Sequence, residues 1–137
     1  MRLAGSLKMT SRLTTKTTEV AGVKLKAGTP IAVILAAANR DPRQWERPEM
    51  VDLHRPKLKH QMGFSRGPHT CIGAPLARTE VRLMLEQFLS QTSSITIDAE
   101  KHGERSNRHF KHTPSFMNHG FKELHLKFEP AATAKQG

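Results

Sequence analysis

A single cysteine, Cys71, is the only thiol in the 137 residues, and tyrosine is absent altogether. One cysteine excludes an internal disulfide and any zinc site built from several thiolates, and it suits a reducing, cytoplasmic compartment. Aromatics are few, with six Phe and one Trp, and they do not interleave with basic residues in the way that stacks nucleic-acid bases. Acidic residues are also scarce. Twelve Asp and Glu stand against 22 Lys and Arg, for a net charge of +10 and a pI near 10.4. Such a balance invites an anionic partner, but the basic residues are scattered from Arg2 to Lys135 without a dense tract, which reads as a solvated surface and not as a nucleic-acid or membrane interface. No run approaches the roughly 18–20 apolar residues of a spanning helix, and Met1–Thr10 has no apolar core for a signal peptide. Apolar residues are themselves thin: 36% of the chain, or about 43% with glycine counted, against roughly 45–50% in globular proteins. The length allows one domain, expected over residues 1–130, with a disordered tail at 131–137.

Periodicity places the elements. Gly22-Val23-Lys24-Leu25-Lys26 alternates, Ala27-Gly28 supplies a turn, and Pro30–Leu35 is a continuous apolar run, which together predict a β-hairpin with a buried second strand. Ala36–Arg40 reads as one helical turn. Prolines and charged clusters then interrupt every period as far as Gly63, a long ordered loop. From Gly73 to Gln91 the spacing becomes helical, with Leu76, Ala77, Val81, Met84, Leu85, Phe88 and Leu89 on one face. That stripe is a packing face, and without a covering element it would lie partly exposed. Ile95-Thr96-Ile97 and Leu124–Phe128 read as strands of a C-terminal hairpin. His54, His60, His102, His109, His112, His119 and His125 form no recognisable ligand set and are taken as surface or loop residues.

The stretch Phe64-Ser65-Arg66-Gly67-Pro68-His69-Thr70-Cys71-Ile72-Gly73-Ala74-Pro75-Leu76-Ala77-Arg78 carries the chemistry. It sets the lone cysteine in a glycine-bracketed loop immediately before an amphipathic helix. Backbone N–H groups at a helix start are unpaired and the dipole there is positive, so a thiolate is favoured over a thiol. A thiolate so placed is a nucleophile, a redox sensor or a metal ligand, and electrostatics alone does not choose among them.

The spacing Phe64, Gly67, Cys71, Gly73, Ala77 resembles the haem loop of cytochromes P450. His69 and Leu76-Ala77-Arg78 are similar to soluble bacterial members. Gly22-Val23, Leu25, Ala27-Gly28, Ala37–Pro42, Trp45, Pro48, Asp52 and Arg55 extend the likeness, collinear from about Arg12 to Pro130.

The resemblance implies an α+β fold, the C-terminal fragment of the P450 domain: β-hairpin, long loop, haem-binding Cys loop, one long helix and a C-terminal hairpin. It implies haem b (iron protoporphyrin IX) as cofactor, with Cys71 as the metal ligand. Phe64, Gly67, His69, Gly73, Ala77 and Arg12 would line the cofactor, Arg12 and His69 at its propionates. Phe116 and Met117 resemble a hairpin tip that touches substrate. The implied activity is insertion of one oxygen atom from O2 into a small organic substrate, with electrons from a ferredoxin or flavodoxin-like donor. No distal catalytic residue is recognised in the sequence, so the alternative expectation is a truncated remnant or haem-binding fragment without turnover.

Overall fold

The structure is a computed structural model that describes residues 1–132, so the expected tail lies, from Thr133 on, outside the described residues. Backbone proximity divides the chain into two units, Met1–Thr70 with Pro114–Gly120, and Cys71–Thr113 with the chain from Phe121 onward.

In the first unit, β1 (Met9–Leu13) pairs antiparallel with β4 (Pro30–Ile34), and β2 (Thr18–Val20) with β3 (Val23–Leu25). The hairpin predicted between Gly22–Leu25 and Pro30–Leu35 is therefore not the one formed. The reason is a turn that the sequence reading passed over. Ala21 and Gly22 both have positive φ, 50° and 82°, and connect Val20 to its partner Val23. A two-residue loop with this backbone matches strand twist and closes the tightest hairpin available.

Thr14 then holds the return loop. It donates to Lys26 O at 2.6 Å and accepts from Thr29 N at 2.8 Å, while its carbonyl accepts from Gly28 N at 2.8 Å. Nor is β4 buried: Ile31 and Val33 are half-buried, whereas Pro30, Ala32 and Ile34 are exposed. A two-stranded ribbon packs one face only, so its apolar run alternates in burial although it does not alternate in composition.

The centre of this unit is small and partly polar. α1 (Leu35–Ala38) buries Leu35, and Trp45 tucks beneath it with its indole N–H on Ala38 O at 3.0 Å. Asn39 is buried and accepts the Met62 amide through Oδ1 at 2.7 Å, closing the long loop onto α1. Arg2 is buried as well. Its guanidinium donates to Asn39 O (2.6 Å) and Met50 O (3.1 Å) and lies 5.2 Å from the Trp45 ring centre. Desolvation, and then repulsion from Arg55 and Arg40, lowers its pKa from the ordinary value. Arg55 ties the loop by donating to the carbonyls of Glu46, Arg47 and Met50.

In the second unit, α2 (Ala74–Ser90) runs directly into β5 (Thr92–Ile97), and Thr92 Oγ1 donates to Phe88 O at 2.8 Å. β5 pairs antiparallel with β6 (Leu126–Pro130), and Phe88 meets Phe128 edge-on at 5.5 Å. The expected strands pair, but the connection between them is long and includes α3 (Ala99–His102), so they do not form a tight hairpin.

His102, read from sequence as a surface residue, is buried. Its Nε2 accepts the His125 amide at 2.8 Å, which leaves Nδ1 as the donor to His109 O at 3.2 Å. It thereby satisfies the backbone of two segments that have no strand partner there.

The stripe on α2 is not a packed core in this chain. Leu76, Val81, Met84, Leu85 and Leu89 are exposed, and Phe88 alone of the late stripe is half-buried.

At the start of the long loop, Arg43 grips Asp41 through Nε on Oδ1 (3.0 Å), Nη2 on Oδ2 (2.7 Å) and its own amide on Oδ1 (2.9 Å). The Arg43 hydrogen bonds lower the Asp41 pKa to about 2. A depressed carboxylate adds stability above its unfolded pKa and loses it as pH falls through the folded one. Unfolding followed by denaturant should therefore show Asp41 contributing above about pH 4 and losing that contribution towards about pH 2. Arg43→Ala should return the Asp41 carboxyl, read by NMR, to the ordinary range; an unmoved titration would refute the assignment.

Candidate functional site

Two glycine-shaped segments frame the cysteine. Upstream, Ser65 takes positive φ (58°) and Gly67 does too (75°), with an extended Arg66 between them, before the short 3-10 turn Gly67–His69. Ser65 N donates to Met62 O at 2.9 Å, and Thr70 N to Gly67 O at 3.0 Å. Gly67 meets a conformational need here, whereas Ser65 adopts the same region with a side chain, a strained choice. Phe64 is half-buried; Arg66 and His69 are exposed.

Downstream, Cys71 O accepts the Ala74 amide at 3.2 Å and Gly73 O accepts the Ala77 amide at 2.9 Å, so Cys71, Gly73 and Ala77 are gathered at the start of α2. Pro75 sits in the first turn, where its missing N–H costs nothing. No acidic residue occupies that turn, and no side chain caps it.

The thiol is free and exposed, so the common fate of a lone cysteine, a small buried hydrophobe, does not apply. Gly73 has φ −78° and ψ 0°, open to any residue, so its glycine is not there for the backbone. A Cβ at Gly73 would lie 3.8 Å from Cys71 Sγ, and its absence keeps the flank of the sulfur open.

The remaining predicted residues lie on the first unit. Arg12 stands on β1 opposite Ile31, half-buried, and both of its hydrogen bonds use Nη1, to Thr10 Oγ1 (3.1 Å) and Ser11 O (2.7 Å). Phe116 and Met117 sit in a turn beside the start of β1, where Lys8 N donates to Met117 O at 2.8 Å.

A protein-family model described as Cytochrome P450 matches residues 1–119. The chain belongs to the cytochrome P450 family. The match reaches upstream of Arg12 to the first residue, beyond the likeness read from sequence. Cytochrome P450(BM-1) of Priestia megaterium is 47% identical over 77 residues, 56% of this chain and 19% of that protein. Putative cytochrome P450 140 of Mycobacterium bovis is 40% identical over 95 residues, 69% of this chain and 22% of its own.

Among solved structures, the substrate-free Mycobacterium marinum cytochrome P450 CYP150A6 aligns with a TM-score of 0.92 at 41% identity, over 96% of this chain and 32% of that one. The chain thus has the α+β architecture of a piece of the P450 fold. It spans about a fifth of the length of the curated P450 relatives it matches.

Arg2, Asn39 and His102 were missed as architectural residues. Arg2 carried one signal, the lone Trp on which it stacks; the other two carried none.

If Gly73 keeps the sulfur open, Gly73→Ala should leave the far-ultraviolet circular dichroism unchanged and slow alkylation of Cys71 by iodoacetamide about two- to fivefold. An unchanged rate would mean that the flank is not what Gly73 protects.

Proposed function

We propose that this chain supplies the cysteine-bearing share of a haem-thiolate monooxygenase, in which Cys71 would hold the iron of haem b. The observation that carries the reading is the open sulfur of the sole cysteine at the start of α2, in a chain of the P450 family. The donor set fits: one exposed thiol, a helix start with no acidic residue in its first turn, and no competing disulfide. When bound, the haem supplies the oxygen chemistry, insertion of one atom of O2 into a small organic substrate, and thiolate donation favours O–O cleavage.

The protein's own residues bind and orient. Phe64, Gly67, Gly73 and Ala77 would line the haem, with Gly67 supplying a positive-φ turn and Gly73 the open flank of the sulfur. Arg12 and His69 take the propionates; Arg12 has Nε and Nη2 beyond the Nη1 it spends on Thr10 and Ser11, donors suited to a carboxylate. Phe116 and Met117 touch substrate. A ferredoxin or flavodoxin-like donor docks through exposed Arg66, Lys57 and Lys59, drawn by the +10 charge. Residues 1–130 form this share of the domain, and the protein works in the cytoplasm; no helix among the described residues is long and apolar enough to cross a membrane.

A second reading, a haem-binding fragment without turnover, is favoured by the exposed apolar face of α2.

Reduced, haem-loaded protein under carbon monoxide should show the red-shifted Soret band of a thiolate complex, and Cys71→Ser should abolish it. Retention of that band in Cys71→Ser would sink the assignment. A thiolate band without any substrate-dependent product would select the second reading.

A further inference from the structure

Phe116 is 82% exposed, the largest exposure of any phenylalanine in the described residues. Its backbone is the opposite of loose. Ser115 Oγ accepts the Asn118 amide at 3.0 Å, closing the four-residue turn with Phe116 inside it. Leu7 forms a bridge with Asn118, and His119 N donates to Ser6 O at 2.6 Å.

Lys8 holds this turn at two points and is itself tied to α1. Its amide donates to Met117 O at 2.8 Å, and its ammonium donates to Ser115 O at 2.9 Å, so one residue grips the turn on both sides of Phe116. Its carbonyl accepts the Ala36 amide at 3.0 Å, which fastens the grip to the start of α1. Lys8 is half-buried, and its ammonium carries no ion pair with a carboxylate among the described residues. The ammonium thus spends a charge-assisted hydrogen bond on the turn's backbone, where its point charge and flexible stem let it reach Ser115 O.

We propose that Lys8 is the positioning residue for Phe116: by clamping the Ser115–Asn118 turn it fixes the aromatic ring that meets substrate. The proposal rests on the reading of Phe116 as a substrate contact. Lys8 touches no reacting group. It acts through the turn, and it makes ring position a property of the first unit's sheet and of α1, not of a free loop.

Two measurements on the haem-loaded protein test this. Amide hydrogen exchange at Asn118 and His119 should rise about tenfold in Lys8→Met, which keeps the stem and loses the donor, and Lys8→Arg should bring it back to within about twofold of wild type. Binding of 4-phenylimidazole relative to imidazole, read from the Soret shift, should weaken about tenfold in Lys8→Met and equally in Phe116→Ala, with no further loss in the double variant. A merely structural lysine would lower both affinities together.

Unchanged exchange in Lys8→Met overturns the clamp. Faster exchange with an unchanged affinity ratio overturns its role at the site. An exchange response in Lys8→Met together with no thiolate–carbon monoxide band in the wild-type protein fails the haem reading instead, and the role assigned to Lys8 at the site falls with it.

Discussion

An exposed thiol at the start of a helix needs a chain that delivers it there with its flank open, and the residues around Cys71 in the second unit meet that need. Cys71 is placed by a turn whose carbonyl catches the Ala74 amide, immediately before seventeen residues of helix. The missing Cβ of Gly73, 3.8 Å from Sγ, leaves the approach open. α2 is then anchored at its far end, where Thr92 and Phe88 join it to β5 and β6. The helix is held by its ends, which leaves its apolar side, Leu76 to Leu89, uncovered in this chain. About 25 cal/mol for each Å² left in water is the scale of the stabilisation forgone along such a face.

The first unit solves a different problem: it has too little apolar material for a large core and builds a polar one instead. Leu35 and Trp45 are the buried apolar residues there, and Asn39 and Arg2 fill the space beside them with every contact aimed at a backbone group or ring. Burying a guanidinium is tolerable only when its donors are met, since an unpaired buried charge costs several kcal/mol. The long loop from Asp41 to Gly63 stays ordered through carbonyls bound by Arg2 and Arg55 and through the Met62 amide, which donates to the Asn39 side chain, with little regular structure of its own.

Much of this was legible in the sequence, for local reasons. The span of α2 followed from apolar spacing between Gly73 and Gln91, and the cysteine loop stood out by the resemblance carried by the spacing of Phe64, Gly67, Cys71 and Gly73. What failed was pairing and burial, which depend on partners distant in sequence. Ala21 does not look like a positive-φ residue, so the β2–β3 turn was invisible and its strands were paired wrongly. Composition marked Pro30–Leu35 as buried, but burial depends on how many faces are covered, and a two-stranded ribbon covers one. His102 looked like the other histidines because nothing local distinguishes a ring whose two nitrogens satisfy the chain at His109 and His125. The bonds from Lys8 to the carbonyls of Ser115 and Met117 likewise join residues more than a hundred positions apart.

The account stands or falls on sulfur at iron. X-ray absorption at the iron edge of the haem-loaded protein reads the ligand directly, without relying on a spectral class. A sulfur scatterer in wild type that disappears in Cys71→Ser, with the porphyrin nitrogen shell unchanged, is the predicted result. An iron shell of light atoms alone in the wild-type protein would contradict the assignment of Cys71, and with it the role given to the start of α2.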